Sequence, residues 1–547
     1  MFIKSLRPEY KTPAFLFCVG WCLVLLAVWI PILPQLQTFI YLWRVETAAS
    51  ILFSITLLYL LFRHREKVSS LSLSRPELNF IVFPLLAFIA WSALSIFWSA
   101  SSNPALYHTL IWTEYLIFYL IARQILELPN GFKYLLTLLT GVIIIVALPA
   151  IVEYCSFLVL GGATSLGIRY AKYGELVITV FPLILTGVLR LRSRKFIGGI
   201  FIISLIGIFI ISTLGRTNFI IFASEVLIIA GVVFINRNFY KYRRKLAICI
   251  LGLIIITPSI HLFALFSDKP DIPTITRLTD IDDASIAYSG NFRKLMISVS
   301  LDIFLSHPFF GIGADNFGVQ FNNYREIYAA KNPNNVNLTT AENEIAERSH
   351  NEYLQILAEL GAIGGLIFLC FLSSVGMMFL NALKNYRRIS LLQISALLGI
   401  VCFLASSLVS SYSFRLMQNG LVFFFVLAVA AKSLLKSNSV DKRVDEITVP
   451  AQRLKFCYAL GIAACLLLAG DCLRRAASVY YAAEAQQQTN VDSAKHYYQT
   501  AFRLDSENPS PHFSYGMNLF NAGRFAEAAA QLKQSVKLGL AGSTDVS

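Results

Sequence analysis

Charge is what this chain has least of. Asp, Glu, Lys and Arg make up only 14% of its 547 residues, against about 25% in an ordinary soluble domain. The short alternating segments that build an outer-membrane barrel are missing as well. Nine cysteines lie in or at the edges of apolar runs, and no two form a CxxC pair. That pattern supports neither a zinc site nor a disulfide framework, and leaves them as small buried apolar side chains. The first apolar run is too long for a cleavable signal peptide and lacks a small-residue cleavage pattern.

What is present is grease in long pieces. Apolar residues make up 56% of the chain, in continuous runs long enough to cross a hydrocarbon core of about 30 Å. The expectation is an all-α polytopic membrane protein of 12–13 transmembrane helices. The spans fall at about 13–35, 47–62, 78–97, 108–125, 134–158, 175–190, 196–213, 218–235, 246–266, 353–382, 391–411, 419–435 and 456–472. Well over half of the 46 Lys and Arg fall in alternate connections, such as "RLRSRK" at 190–195 and "NRNFYKYRRK" at 236–245. Basic residues stay on the cytoplasmic side of short loops, so the N-terminus reads as cytoplasmic. An odd number of spans then leaves the C-terminus on the far side. The net charge of +14 is thereby accounted for without a nucleic-acid partner.

Four regions follow: spans 1–9 over 1–266, a long outer loop at 267–352, spans 10–13 over 353–473, and a tail at 474–547. In the loop, the spacing predicts an amphipathic helix from Asn291 to Ser306, stopped at His307-Pro308 and followed by a flexible "GIG" turn at 311–313. The polar stretch "AAKNPNNVNLTTAENE" reads as mobile. Loops of this length are uncommon unless functional. In the tail, Ala494, Tyr498 and Ala501 recur 34 residues later as Ala528, Leu532 and Ser535, a period that resembles tetratricopeptide repeats.

Few side chains here can do chemistry. His350 stands where a span begins, and its unperturbed pKa of about 6.5 suits a general base. Helical spacing would put Glu347, His350 and Leu354 on one face and Glu352, Gln355 and Glu359 on another. Glu359 is a carboxylate inside an apolar run, a costly placement that asks for a cavity or a partner. Gly361, Gly364 and Gly365 favour close helix contact. Arg216 sits at the tip of a tight outer turn, where a guanidinium could hold phosphate oxygens in pairs. Arg293 lies near the start of the expected loop helix, where the dipole also favours anions. Arg348 could serve similarly, and Arg277 is weaker. "DIDD" at 280–283 reads as a solvated turn before a metal cluster. Each has a bland explanation: headgroup contact for His350, snorkelling for Arg216, a solvated helix face for Arg293. Taken together, one base and several arginines on one side of a membrane fit chemistry on a lipid diphosphate, whose departing group needs cationic support rather than an acid.

Three motifs carry a resemblance. "SHNEYLQILAELGAIGGLIF" resembles the His-Asn and Glu-x-Gly-x-x-Gly signature of the O-antigen ligase and polymerase superfamily. "HPFFGIGADNF" is similar to its upstream His-Pro and Gly-x-Gly element, and "STLGRTNF" to its short Ser-x-x-Arg turn. The resemblance implies a glycosyltransferase-C-like fold in the bacterial inner membrane, with the long loop and the tail periplasmic. It also implies an inverting, metal-independent transfer of a glycan from undecaprenyl diphosphate, with no cofactor. His350 would activate the acceptor hydroxyl, Arg216 and Arg293 would hold the diphosphate with Arg348 as a further candidate, and Glu359 and Asn351 would support the site. A thirteenth span and a repeat-bearing tail exceed the usual ligase plan. The acceptor is therefore lipid A-core for a ligase, the growing polymer for a polymerase, or a protein hydroxyl for an O-oligosaccharyltransferase. The ligase is favoured, with the tail positioning an acceptor or recruiting a protein partner. A lipid-linked sugar transporter is the rival of another class, and the inverted repeats that would support it are not found. A structural scaffold leaves His350 and Arg216 unexplained.

Overall fold

A computed structural model describes residues 17, 20–22, 24–25, 40–63, 72–128, 130–160, 166–265, 284–335, 346, 348–384, 389–410, 413–437, 446–448, 451–488 and 490–539. The protein is an all-α polytopic membrane protein. Its helices run α1 (Ile40–Arg63), α2 (Arg75–Phe97), α3 (Ser102–Glu127), α4 (Gly131–Leu160), α5 (Leu166–Leu189), α6 (Ser193–Ser212), α7 (Arg216–Ile235) and α8 (Arg243–Leu265). Two loop helices follow, α9 (Ala284–Ser306) and α10 (Phe317–Lys331). The bundle resumes with α11 (Glu352–Leu383), α12 (Leu391–Ser406), α13 (Met417–Ser437) and α14 (Ala451–Gln486). The tail adds α15 (Val491–Leu504), α16 (Pro509–Asn521) and α17 (Phe525–Lys537). Among the described residues, eight helices are long and apolar enough to cross a membrane. Every expected span after the first coincides with a helix, and most of the first lies outside the described residues.

The bundle has a dry middle and a greasy rim. In α13, residues from Leu421 to Ala431 are all buried, as expected of a helix that is apolar on every side. Gly420 lets the Tyr115 ring of α3 approach its backbone, and the Tyr115 hydroxyl donates to the Phe414 carbonyl at 2.8 Å. Peripheral helices leave side chains such as Leu227, Ile235 and Leu467 largely exposed, a surface suited to lipid tails. At one end, β1 (Ser72–Ser74) pairs antiparallel with β2 (Glu446–Thr448). There Glu77 receives Arg123 through two bonds of 2.6 and 3.1 Å. The opposite end, the loop end, carries α9 and α10.

The loop differs from its sequence reading in two ways. Its first helix begins at Ala284 rather than Asn291, so Arg293 lies more than two turns inside. A dipole acts only within the first turn, and it no longer explains an anion site there. The second helix, α10, was not expected. Leu295, Val299 and Ile303 of α9 and Phe317 and Phe321 of α10 share one small core with Ala358 of α11.

α14 runs unbroken from the bundle into the tail, so no linker separates them at 473 and 474. Ala494, Tyr498, Ala501, Ala528 and Ser535 are all buried between the tail helices. The tail folds back onto the loop end. Glu507 accepts from the Ser101 hydroxyl and, at 3.1 Å, from the Asn103 backbone N–H, a carboxylate at the N-terminus of α3. Asn316 grips the backbone of the same Ser101, accepting its N–H at 2.8 Å and donating to its carbonyl at 3.0 Å. A second contact joins Asn322 of α10 to the Gly539 carbonyl at 2.9 Å.

Candidate functional site

The site is organised by a break in α11. Gly361 has φ 66° and ψ −172°, outside helical space, and the interruption strands donors and acceptors on either side. Residues 308–313 satisfy them. Ala362 N–H donates to the Pro308 carbonyl at 2.7 Å and Ile363 N–H to Phe309 at 3.3 Å. Ile312 and Gly313 N–H donate to the Ala358 and Glu359 carbonyls at 3.2 and 2.8 Å. The two backbones lie so close that a Cβ on Gly361 would sit 2.2 Å from the Phe309 oxygen, and one on Gly311 would sit 2.3 Å from the Glu359 carbonyl. The "GIG" segment is thus a clamp, not the flexible turn its glycines suggest. Gly361→Ala is expected to cost about 1–3 kcal/mol from left-handed strain alone, with the backbone clash added. Gly376→Ala, with nothing within 4 Å, should be neutral in the same thermal unfolding measurement.

Below the clamp lies a charge cluster built around Arg415, whose side chain is 3% exposed. Its three nitrogens reach three carboxylates: Nε to Glu352 at 2.8 Å, Nη1 to Asp315 at 2.8 Å and Nη2 to Glu359 at 2.9 Å. Glu359 also accepts from Gln355 at 2.8 Å and from the backbone N–H groups of Asp315 and Phe317 at 3.0 and 3.3 Å. It is therefore the point where α11 meets the Ala-Asp-Asn turn. Arg348 donates to Asp315. Burial alone would raise the Asp315 pKa, but the Arg348 and Arg415 charges outweigh it and hold the carboxyl below its usual range. Arg415 and Asp315 were not singled out from sequence, although an arginine in a short outer turn was the signal that singled out Arg216.

His350 does not share the α11 face that spacing suggested. It precedes the helix in the left-handed region, with φ 57°. Asn351 caps α11, its Oδ1 accepting from the N–H groups of Tyr353 and Leu354 at 3.1 Å each. Ser349 donates its hydroxyl to the Asn351 carbonyl at 2.7 Å and its N–H to Gln355 at 3.1 Å. The half-buried imidazole is left to face α9, where its ring meets Phe292 edge-on at 5.6 Å. Burial, then the Arg293 charge, push its pKa down to about 4. Arg293 keeps access to solvent, yet the surrounding protein and the neighbouring Arg216 charge lower its own pKa. Arg293 of α9 therefore stands within electrostatic reach of both His350, on the approach to α11, and Arg216, at the start of α7. Among the described residues neither Arg216 nor Arg293 forms an ion pair.

Residues 157–369 match the family model described as O-antigen ligase. The match supports the O-antigen ligase superfamily for that segment. No curated protein matches the chain. The matched segment takes in Arg216, Arg293, Arg348, His350, Asn351 and Glu359, together with the α11 break and the clamp that fills it. Arg415 and the tail lie beyond it. The match supports glycan transfer of the ligase or polymerase type, with a lipid-linked glycan and an acceptor as substrates. Arg277 and the 280–283 carboxylates fall outside the described residues.

Proposed function

We propose that this protein transfers a glycan from undecaprenyl diphosphate to an acceptor hydroxyl at the periplasmic face of the inner membrane. The transfer inverts the anomeric centre, needs no metal, and acts as an O-antigen ligase with lipid A-core as acceptor. One contrast supports the reading most. Arg348 and Arg415 are already matched by buried carboxylates, whereas Arg216 and Arg293 oppose each other beside a neutral imidazole. Two cations held together without a carboxylate are completed by a dianion such as a diphosphate.

His350 takes the proton from the acceptor hydroxyl as its oxygen attacks the anomeric carbon. The bond from that carbon to the diphosphate breaks, and the leaving group keeps the electron pair. Arg216 and Arg293 hold the negative charge that develops there. The imidazolium then loses its proton to water. Arg348, turned to Asp315, stays with the scaffold.

The test supplies purified protein in lipid nanodiscs with undecaprenyl-diphosphate glycan and lipid A-core, and follows release of the diphosphate lipid. Arg216→Lys keeps the charge and loses the paired geometry, and kcat/KM should fall by about 10-fold or more, the cost of roughly one charge-assisted hydrogen bond. Unchanged turnover would remove the diphosphate from this position, and inhibition by a chelator would return metal chemistry to the scheme. The pH profile gives a second reading. A base must be neutral to act, and the pKa near 4 keeps His350 neutral across the physiological range, so kcat/KM should hold as pH falls towards 5. A bound diphosphate offsets the Arg293 charge and raises the imidazole pKa. The acid limb of kcat should therefore lie at higher pH than that of kcat/KM. Arg293→Gln should move the kcat/KM limb upward.

A further inference from the structure

A cavity of about 530 Å³ opens at the far end of the loop helices. Its walls are Trp98, His307, Phe310, Gln320 and Tyr324, and the Gly311–Ile312 backbone forms its floor. His307 follows the last residue of α9, fourteen residues beyond Arg293, which at 1.5 Å per residue is about 20 Å along the helix. The His307 side of the cavity is therefore well removed from Arg293, the charged neighbour of the His350 imidazole.

Its chemistry is also different. None of its lining residues is Asp, Glu, Lys or Arg, so it offers a diphosphate nothing. It offers flat aromatic surfaces with a few polar groups at their margins. The aromatic part is set in advance: Trp98 Nε1 donates to the Phe310 carbonyl at 3.1 Å. The Trp98 ring packs on Trp91 at 5.4 Å and on Phe310 at 5.5 Å. Tyr324 is buried behind the His307 ring, 6.4 Å away. The floor is immobilised because Ile312 and Gly313 are bonded to α11. A pyranose ring has the complementary shape, an apolar C–H face that lies on an aromatic ring and a rim of hydroxyls that reaches amide and imidazole groups. Pockets of 300–1,000 Å³ with an apolar lining and a few placed polar groups are typical ligand sites.

We infer that this cavity is a glycan subsite, binding neutral sugar rings several units away from the bond being made. The inference rests on the glycan-transfer reading above and deepens it, since a site that holds a chain at two points grips long glycans better than short ones. The sugar could belong to the donor or to the acceptor, and the two are separable by experiment.

Gln320→Leu and Trp98→Ala are compared with the parent protein in nanodiscs. The probes are the free glycan released from the donor lipid and the core oligosaccharide released from lipopolysaccharide by mild acid. Saturation-transfer NMR reads binding without turnover. One of the two oligosaccharides should show transfer to its ring protons in the parent and in His350→Ala, and lose most of it in both cavity variants. In the activity assay, KM for the matching full-length substrate should rise about tenfold with kcat unchanged, while a substrate trimmed to one sugar should respond like the parent. Equal binding by parent and variants overturns the assignment, and so does an equal loss on the trimmed substrate, which marks a folding defect. If the transfer reading itself is wrong, turnover is absent from the parent while the binding experiment still tests the cavity.

Discussion

His350→Ala is expected to lower kcat by about 10²–10⁴, the usual contribution of a positioned general base, while binding of the lipid-linked glycan is retained. Loss of function in a membrane enzyme is easily confused with loss of fold, and the backbone offers a way to tell them apart. His350 is held at φ 57°, a conformation that glycine adopts without strain and other residues do not. His350→Gly should therefore melt at or above the parent temperature and still be inactive. Added imidazole should restore part of its turnover, because the missing proton acceptor is small and the α9 side of the site is intact. Full activity in either variant at neutral pH would remove the base from the mechanism.

Arg415→Ala should do the opposite, destroying the structure before the chemistry can be assayed. The substitution leaves Glu352, Glu359 and Asp315 buried without the cation they share. Breaking a buried pair by removing one partner costs about 3–5 kcal/mol, and here one guanidinium serves three carboxylates. Arg415→Lys keeps the charge but cannot direct three bonds to three places, so it should recover only part of the loss. The informative control is Arg216→Ala. It removes one of two guanidinium groups that oppose each other, and its melting temperature should match the parent or exceed it. If Arg415→Ala unfolds within a degree or two of the parent, the cluster is not what holds the Ala-Asp-Asn turn against α11.

The membrane architecture was legible because apolar runs and basic connections are written directly into composition. Arg216, Arg293 and His350 stood out as candidates for a similar reason, since a charge or an imidazole at the edge of a greasy segment is conspicuous. What was missed depends on the third dimension. Periodicity carried the α11 helix back through His350, because nothing in "ERSHNEYLQ" reveals that Asn351 caps the helix and turns the preceding residue left-handed. Gly311 and Gly361 read as a flexible turn and a helix-packing residue. They are one feature, two backbones meeting 50 residues apart, and neither sequence neighbourhood contains the other. Nothing in the neighbourhood of Asp315 announces Arg348 and Arg415, which come from 33 and 100 residues further along the chain.

Ser101 is held by its main chain from one side and by its hydroxyl from the other, with Asn316 belonging to the loop and Glu507 to the tail. A single residue thus serves as the rivet between two parts of the molecule that are far apart in sequence. Transplanting the tail onto a relative would require residues 99–103 to travel with it, because a foreign tail brings a carboxylate to a hydroxyl that the host does not provide.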